Sequence, residues 1–191
     1  MAEKRQNLVY KPLLFPNAPA ASLYTDAGLI GPDNPSKLGC TLAWRKVSAF
    51  GTVIAERALV CPAEICGGSV ENNAAETLAL ALGLSTLPDG WCGTVYCDNL
   101  NAIRRLFGSA PWNTCPPWLV TFAKSQAARM GYVETIRLAG HPRRIDLERG
   151  TNDDLIPVSV HNFWCDKAAK YAGQAWLYRE PCDVFDFEKE T

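Results

Sequence analysis

The chain has no C-x-x-C pair, no excess of charge of either sign and only two histidines among its 191 residues. No apolar run approaches the ~18 residues that a membrane-spanning helix needs. Each shortage excludes something. Eight cysteines stand at 40, 61, 66, 92, 97, 115, 165 and 182, and without C-x-x-C spacing they do not read as a structural zinc site. The first residues, MAEKRQNLVY, lack the apolar stretch of a secretory signal. The thiols are therefore expected to be reduced, mostly core cysteines of a cytoplasmic protein. With 19 basic against 20 acidic residues, the balance argues against a protein that grips nucleic acid by bulk positive charge alone. A monomer without membrane association is expected.

What is there suits one globular domain with a real core: 48% hydrophobic and 20% charged residues. Residues 1–20 are polar and proline-rich and read as an arm, 21–178 as the folded domain, and 179–191 as an acidic tail (PCDVFDFEKE within it) expected to pack on its own domain or stay disordered. Residues 21–26, 38–47 and 52–60 read as strands, the last two joined by a short glycine-containing turn. Helical spacing over 72–84 puts Ala75, Leu78, Ala79 and Leu82 on one face. A short strand (93–98), a helix ending at Gly108 and a second helix ending at Gly131 follow. A strand over 132–140, a long polar segment over 141–159 and a last helix over 161–176 complete the chain. Three strands, then strands alternating with helices, imply an α/β fold with a mixed five-stranded sheet: the first three strands antiparallel, the fourth and fifth parallel to the first, with helices packed on it.

Two of the apolar strands end in an aspartate. "SLYTDAG" delivers Asp26 and "TVYCD" delivers Asp98, while Glu76 lies on the first helix and Asp166 in the first turns of the last. Carboxylates at the ends of adjacent strands can converge at one edge of a sheet, where ligands sit in open α/β folds. Four acids crowded together repel, which raises their pKa values unless cations intervene. Hard divalent ions prefer such oxygen ligands, and two of them about 4 Å apart can activate water and steady the leaving oxygen of a phosphodiester. Each acid also has a plainer reading. Asp26 can open a turn, Asp98 can cap the helix that follows, and Asp166 can pair with Lys170 across a helical turn. Glu76 has no cation at helical spacing.

The motifs together resemble those of type 1 ribonuclease H. "LYTDAG" is similar to the family's first-strand motif, "ENNAAETLAL" to its N-N-x-x-E helix start, and "VYCDN" to the aspartate ending the fourth strand. "IRLAGH" is similar to the fifth strand with its terminal histidine, and "HNFWCDKAAK" to the N-x-x-x-D motif of the last helix. The likeness spans roughly residues 21–176 in order. It implies a ribonuclease H-like fold and hydrolysis of the RNA strand of an RNA–DNA hybrid, leaving 5′-phosphate and 3′-hydroxyl ends. It implies that Asp26, Glu76, Asp98 and Asp166 hold two Mg2+ ions, with Mn2+ able to substitute, and that His141 assists catalysis. Gly28, Asn72, Asn73, Asn99, Arg143 and Arg144 would contact the substrate, the asparagines in the minor groove where 2′-hydroxyls are displayed. Arg104, Arg105, Lys124, Arg129 and Arg149 complete a set of basic residues that could meet phosphates.

The chain also departs from the family's pattern. Ala27 replaces the usual glycine, Leu100 stands where a polar residue is common, and the basic protrusion of many bacterial members is missing, so a weak intrinsic grip on the hybrid is expected. A long loop of 24 residues separates His141 from Asp166, which leaves His161 as a rival to His141. Two other functions stay open: a structure-specific DNA nuclease of junction-resolving type, and a non-catalytic nucleic-acid-binding module on the same fold.

Overall fold

The computed structural model describes residues 19–186, so most of the expected N-terminal arm and the last five residues of the tail lie outside the described residues. Five strands, β1 (Ala20–Leu29), β2 (Gly39–Ser48), β3 (Val53–Pro62), β4 (Gly93–Cys97) and β5 (Val133–Arg137), form one sheet in the order β3-β2-β1-β4-β5. β1, β2 and β3 pair antiparallel; β4 runs parallel to β1, and β5 parallel to β4. This is the mixed sheet the sequence implies.

Helices cover both faces. α1 (Asn72–Ser85) packs on β1 and β2, with α2 (Leu100–Phe107) and α3 (Pro117–Ala128) outside it. α5 (Val160–Leu177) packs against β1, β2 and β3 on the opposite face. The sequence NNAAETLALALGLS is apolar nearly all round, and the reason is this middle position: every residue from Ala74 to Leu84 is buried. On the other side, Gly173 lets α5 approach the sheet, since a Cβ there would stand 2.9 Å from Thr41 Cγ2.

The structure differs from the sequence reading at three places. β1 runs on through Ala27 and Gly28 to Leu29, opposite Cys40, where a loop is expected from Gly28. β5 ends at Arg137 rather than 140. Beyond it Leu138 still donates to the Cys97 carbonyl, but Ala139 turns to donate to that of Pro157. The polar segment 141–159 contains a short helix, α4 (Arg144–Arg149), started by Arg143, whose backbone N–H and guanidinium both donate to Asp146. The tail packs on the domain: Val184 bridges Val60 in parallel and Phe185 is buried. It thereby covers part of the outer edge of β3. No helix among the described residues is long and apolar enough to cross a membrane.

Candidate active site

β1 and β4 lie side by side, and Tyr24 opposite Tyr96 is their last parallel pair. Two residues further along each strand come Asp26 and Asp98. The two-residue period of a strand sends them to the side their tyrosines occupy, and the tyrosine rings stack on that side with centroids 4.5 Å apart. α5 covers this same face, with Cys165 and Ala169 in the cluster around Tyr24, and Asp166 is the neighbour of Cys165. Glu76 arrives from α1 in the opposite layer.

The four carboxylates meet. Repulsion links Asp26 to Asp98 and Asp166, Glu76 to Asp26 and Asp98, and Asp98 to Asp166. Oxygen atoms of Glu76 and Asp98 lie, with Cys97 Sγ, within 4.8 Å of one another. Burial pushes Asp26 well above the usual carboxylate range, and the charges of Asp98 and Asp166 push it further. Glu76 rises for the same reasons, burial first and then Asp26 and Asp98. Asp98 rises through burial, opposed by the imidazole of His141 and by Arg137. The Ala27 N–H donates to Asp26 Oδ1 at 2.9 Å.

The donor set suits a hard divalent cation: four carboxylates and no nitrogen ligand among them. Glu76 Oε2 is buried with no hydrogen-bond partner, and a buried acceptor left unpaired costs about 1–3 kcal/mol. A cation bridging these acids would satisfy that oxygen and remove the repulsion. Asp98 is free for this role because Asn99, not Asp98, caps α2 by accepting from the Ala102 N–H. Asp166 pairs with Lys167 (3.2 Å) and with His141, not with Lys170.

The histidines separate clearly. His141 Nδ1 lies 3.1 Å from Asp166 Oδ1 at an exposed position, on a backbone held at φ 49°, a left-handed conformation in which histidine is among the commoner non-glycine residues. His161 is half-buried against the Tyr24 ring and 3.4 Å from Arg45; burial and the Arg45 charge lower its pKa.

Among the expected substrate contacts, Gly28 and Asn72 line a cavity of about 470 Å3 together with His141, Asp166, Lys170 and Gln174. Asn73 Oδ1 instead accepts from Asn99 (3.0 Å) and Asn101 (3.3 Å) at the junction of α1 and α2. The basic residues are mostly engaged elsewhere. Arg143 and Arg149 both bind Asp146 and Asp153, and Arg144 pairs with Glu148. Arg129 joins Asp89 and the carbonyls ending α1. Arg105 is buried and donates to Asn73 O, Pro111 O and Thr114 Oγ1.

Two neighbours of the acids escaped the sequence reading. Gly140 is one: a Cβ there would stand 2.6 Å from Asp98 Oδ2, so the glycine makes room for that carboxylate. Its only sequence signal is adjacency to His141. Arg137, at the end of β5 beside Asp98, is the other.

No protein-family model matches the sequence, and no curated protein matches it. Solved structures do match in fold. One is the N-terminal ribonuclease H domain of a Mycobacterium tuberculosis protein, solved as a fusion with maltose-binding protein; it is 18% identical over 84% of this chain and 99% of that one, with a TM-score of 0.55. Another is a ribonuclease H1 isolated from compost by a metagenomic approach, 19% identical over 82% of this chain and 96% of that one, with a TM-score of 0.52. By strand order, layering and these matches, the chain has the ribonuclease H fold.

Proposed function

We propose that the protein is a metal-dependent endoribonuclease that hydrolyses the RNA strand of RNA–DNA hybrids, leaving 5′-phosphate and 3′-hydroxyl ends. The observation that carries this reading is the convergence of Asp26, Glu76, Asp98 and Asp166 from four different elements into one mutually repelling cluster. In support stands the open cavity beside that cluster, which could admit a strand past Gly28 and Asn72.

In this reading the four carboxylates hold Mg2+, or Mn2+ in its place, at the C-terminal edge of β1 and β4. Bound there, two such ions supply Lewis-acid polarisation of the phosphate and a water of lowered pKa. Asp26 and Glu76, both nearly inaccessible, form the fixed floor of the site. Asp98 and Asp166 form its more exposed side. His141, oriented through Nδ1 by Asp166, leaves Nε2 to take or give a proton at the mouth of the cavity. Asn72 reaches 2′-hydroxyls. Asn73 and Asn99, hydrogen-bonded to each other, present the adjoining surface to the substrate, and Arg143 and Arg144 meet phosphates only by loosening their present ion pairs.

The test offers the protein a hybrid, duplex DNA, duplex RNA and a four-way junction, each with Mg2+ or Mn2+. Cleavage of the hybrid alone, abolished in Asp26→Asn and Glu76→Gln, is expected. Cutting only the junction overturns the substrate, and cutting none of the four overturns catalysis.

A further inference from the structure

Away from the carboxylates, three cysteines meet in the core. Cys40 on β2 faces Cys61 on β3, directly opposite in the antiparallel register. The turn after β3 then curls back, with the Cys66 and Gly68 N–H groups both donating to the Ala63 carbonyl. It returns the Cys66 sulfur to 3.4 Å from Cys61 Sγ. All three sulfurs lie within 4.8 Å of one another, and all three residues are buried.

We propose that Cys40, Cys61 and Cys66 form a three-sulfur site for a soft, thiophilic d10 cation, best filled by Cu+. Sulfurs that share such an ion at about 2.3 Å stand about 3.8–4.0 Å apart, within the range seen here. Thiolate ligands select Cu+ and Zn2+ over hard ions. Zn2+ wants four ligands in a closed site, and among the described residues no fourth His, Cys, Asp or Glu joins this group; Cu+ is content with three sulfurs. A disulfide fits less well between Cys40 and Cys61. Facing residues in an antiparallel pair hold their Cβ atoms about 4.5–5.5 Å apart, whereas a disulfide prefers about 3.8 Å.

Access agrees with the geometry. Cys66 borders a cavity of about 280 Å3 that opens between the turn and residues 113–116. Cu+ would take the place of thiol protons on the sulfurs it binds, and those protons would leave to solvent. The ion would tie the turn over 62–68 to β2 and β3. This turn leads into α1, the helix that carries Glu76.

The experiment uses the full chain, reduced and metal-free, under anaerobic conditions. Cu+ is titrated against a chromophoric Cu+ chelator and Zn2+ against a zinc indicator, while thermal melts and proton release are followed. One Cu+ per chain is expected, with thiol protons released and a Tm rise of about 5–10 °C at a hundredfold excess over Kd. Cys66→Ser should weaken Cu+ binding at least a hundredfold while its metal-free melt confirms that it folds. Cys92→Ser, which alters an exposed thiol, should bind as the wild type does. Binding of less than one Cu+, full binding by Cys66→Ser, or tighter uptake of Zn2+ than of Cu+ would overturn the assignment. So would loss of two hydrogens by mass under the same handling, since it would reveal a Cys61–Cys66 disulfide in place of a metal site.

Discussion

Replacing Gly140 by alanine isolates the geometry of the carboxylate cluster from the stability of the fold. The backbone at Gly140 lies outside the left-handed region, so alanine meets no backbone strain. Its Cβ would nevertheless stand 2.6 Å from Asp98 Oδ2 and 3.6 Å from Asp98 Cγ. Ordinary contact begins near 3.4 Å, so the carboxylate oxygen must retreat by about 0.8 Å. That oxygen is the free end of a side chain that can rotate, and the stability cost should stay within about 1 kcal/mol, or about 2–4 °C of Tm. The chemical cost is larger. A catalytic group displaced by about 1 Å can lose about a hundredfold in rate. Gly140→Ala is therefore expected to lower kcat on an RNA–DNA hybrid by about 10–100-fold at saturating Mg2+, with little change in KM. The assay is multiple-turnover cleavage of a fluorescent hybrid, run beside thermal melts of both proteins. A kcat within twofold of wild type and an intact melt would refute the idea that the place of Asp98 limits the reaction. A Tm loss above about 10 °C would refute it differently, by moving the effect to the fold.

Two further outcomes are expected. With metal in excess, His141→Ala should lower turnover about 10–100-fold without changing the melt, because the side chain is exposed and touches Asp166; His161→Ala should keep its turnover and lose stability, because that ring packs on Tyr24. Equal, wild-type-like rates for both would remove any role for a histidine. In chelator, Asp26 and Glu76 keep their protons in the folded chain at pH values where the unfolded chain has released them, so the native state binds more protons and stability falls as pH rises above the ordinary carboxylate range. Asp26→Asn or Glu76→Gln should then raise the metal-free Tm at neutral pH, by about 3–6 °C for each tenfold displacement of that ionisation, and flatten the pH dependence. A lower Tm at every pH would show that the acids do not repel.

The strands and the positions of the four acids were legible because both rest on local pattern. Short apolar stretches rich in β-branched and aromatic residues mark the strands, and Asp26 and Asp98 stand out after two of them. What the sequence could not display is what depends on approach in space. Helix α4 was invisible because its starting residue, Arg143, is not among the usual capping residues and works through a pair with Asp146. The role of Gly140 needs the distance to Asp98, forty-two positions earlier in the chain. Arg105 looks like a surface cation on an amphipathic helix, yet it points inward and joins α2 to the first turn of α1. The thiol cluster is a fourth case. Spacing rules search for cysteines close in sequence, whereas Cys40 meets Cys61 through sheet register.

The distribution of positive charge follows from the same distinction and bears on how the site must work. A formal charge of −1 already counts the four crowded acids. Had the protein meant to neutralise them with its own side chains, a lysine or arginine would reach into the cluster. Instead the basic residues nearest it stay at its margin: His141 and Lys167 against Asp166, and Arg137 beyond Asp98. Several other arginines are consumed in capping α1, bracing α2 and closing α4. The repulsion inside the cluster is thus left to protons or to bound cations. Protons relieve it at the expense of the charges that a divalent ion needs, so protonation and metal binding must compete for Asp26 and Glu76. The fold tolerates that unrelieved repulsion because Asp26 and Asp98 stand beyond the last β1–β4 pair, Tyr24–Tyr96, while β1 itself stays paired with β2 through Asp26 opposite Ala43 and on to Leu29.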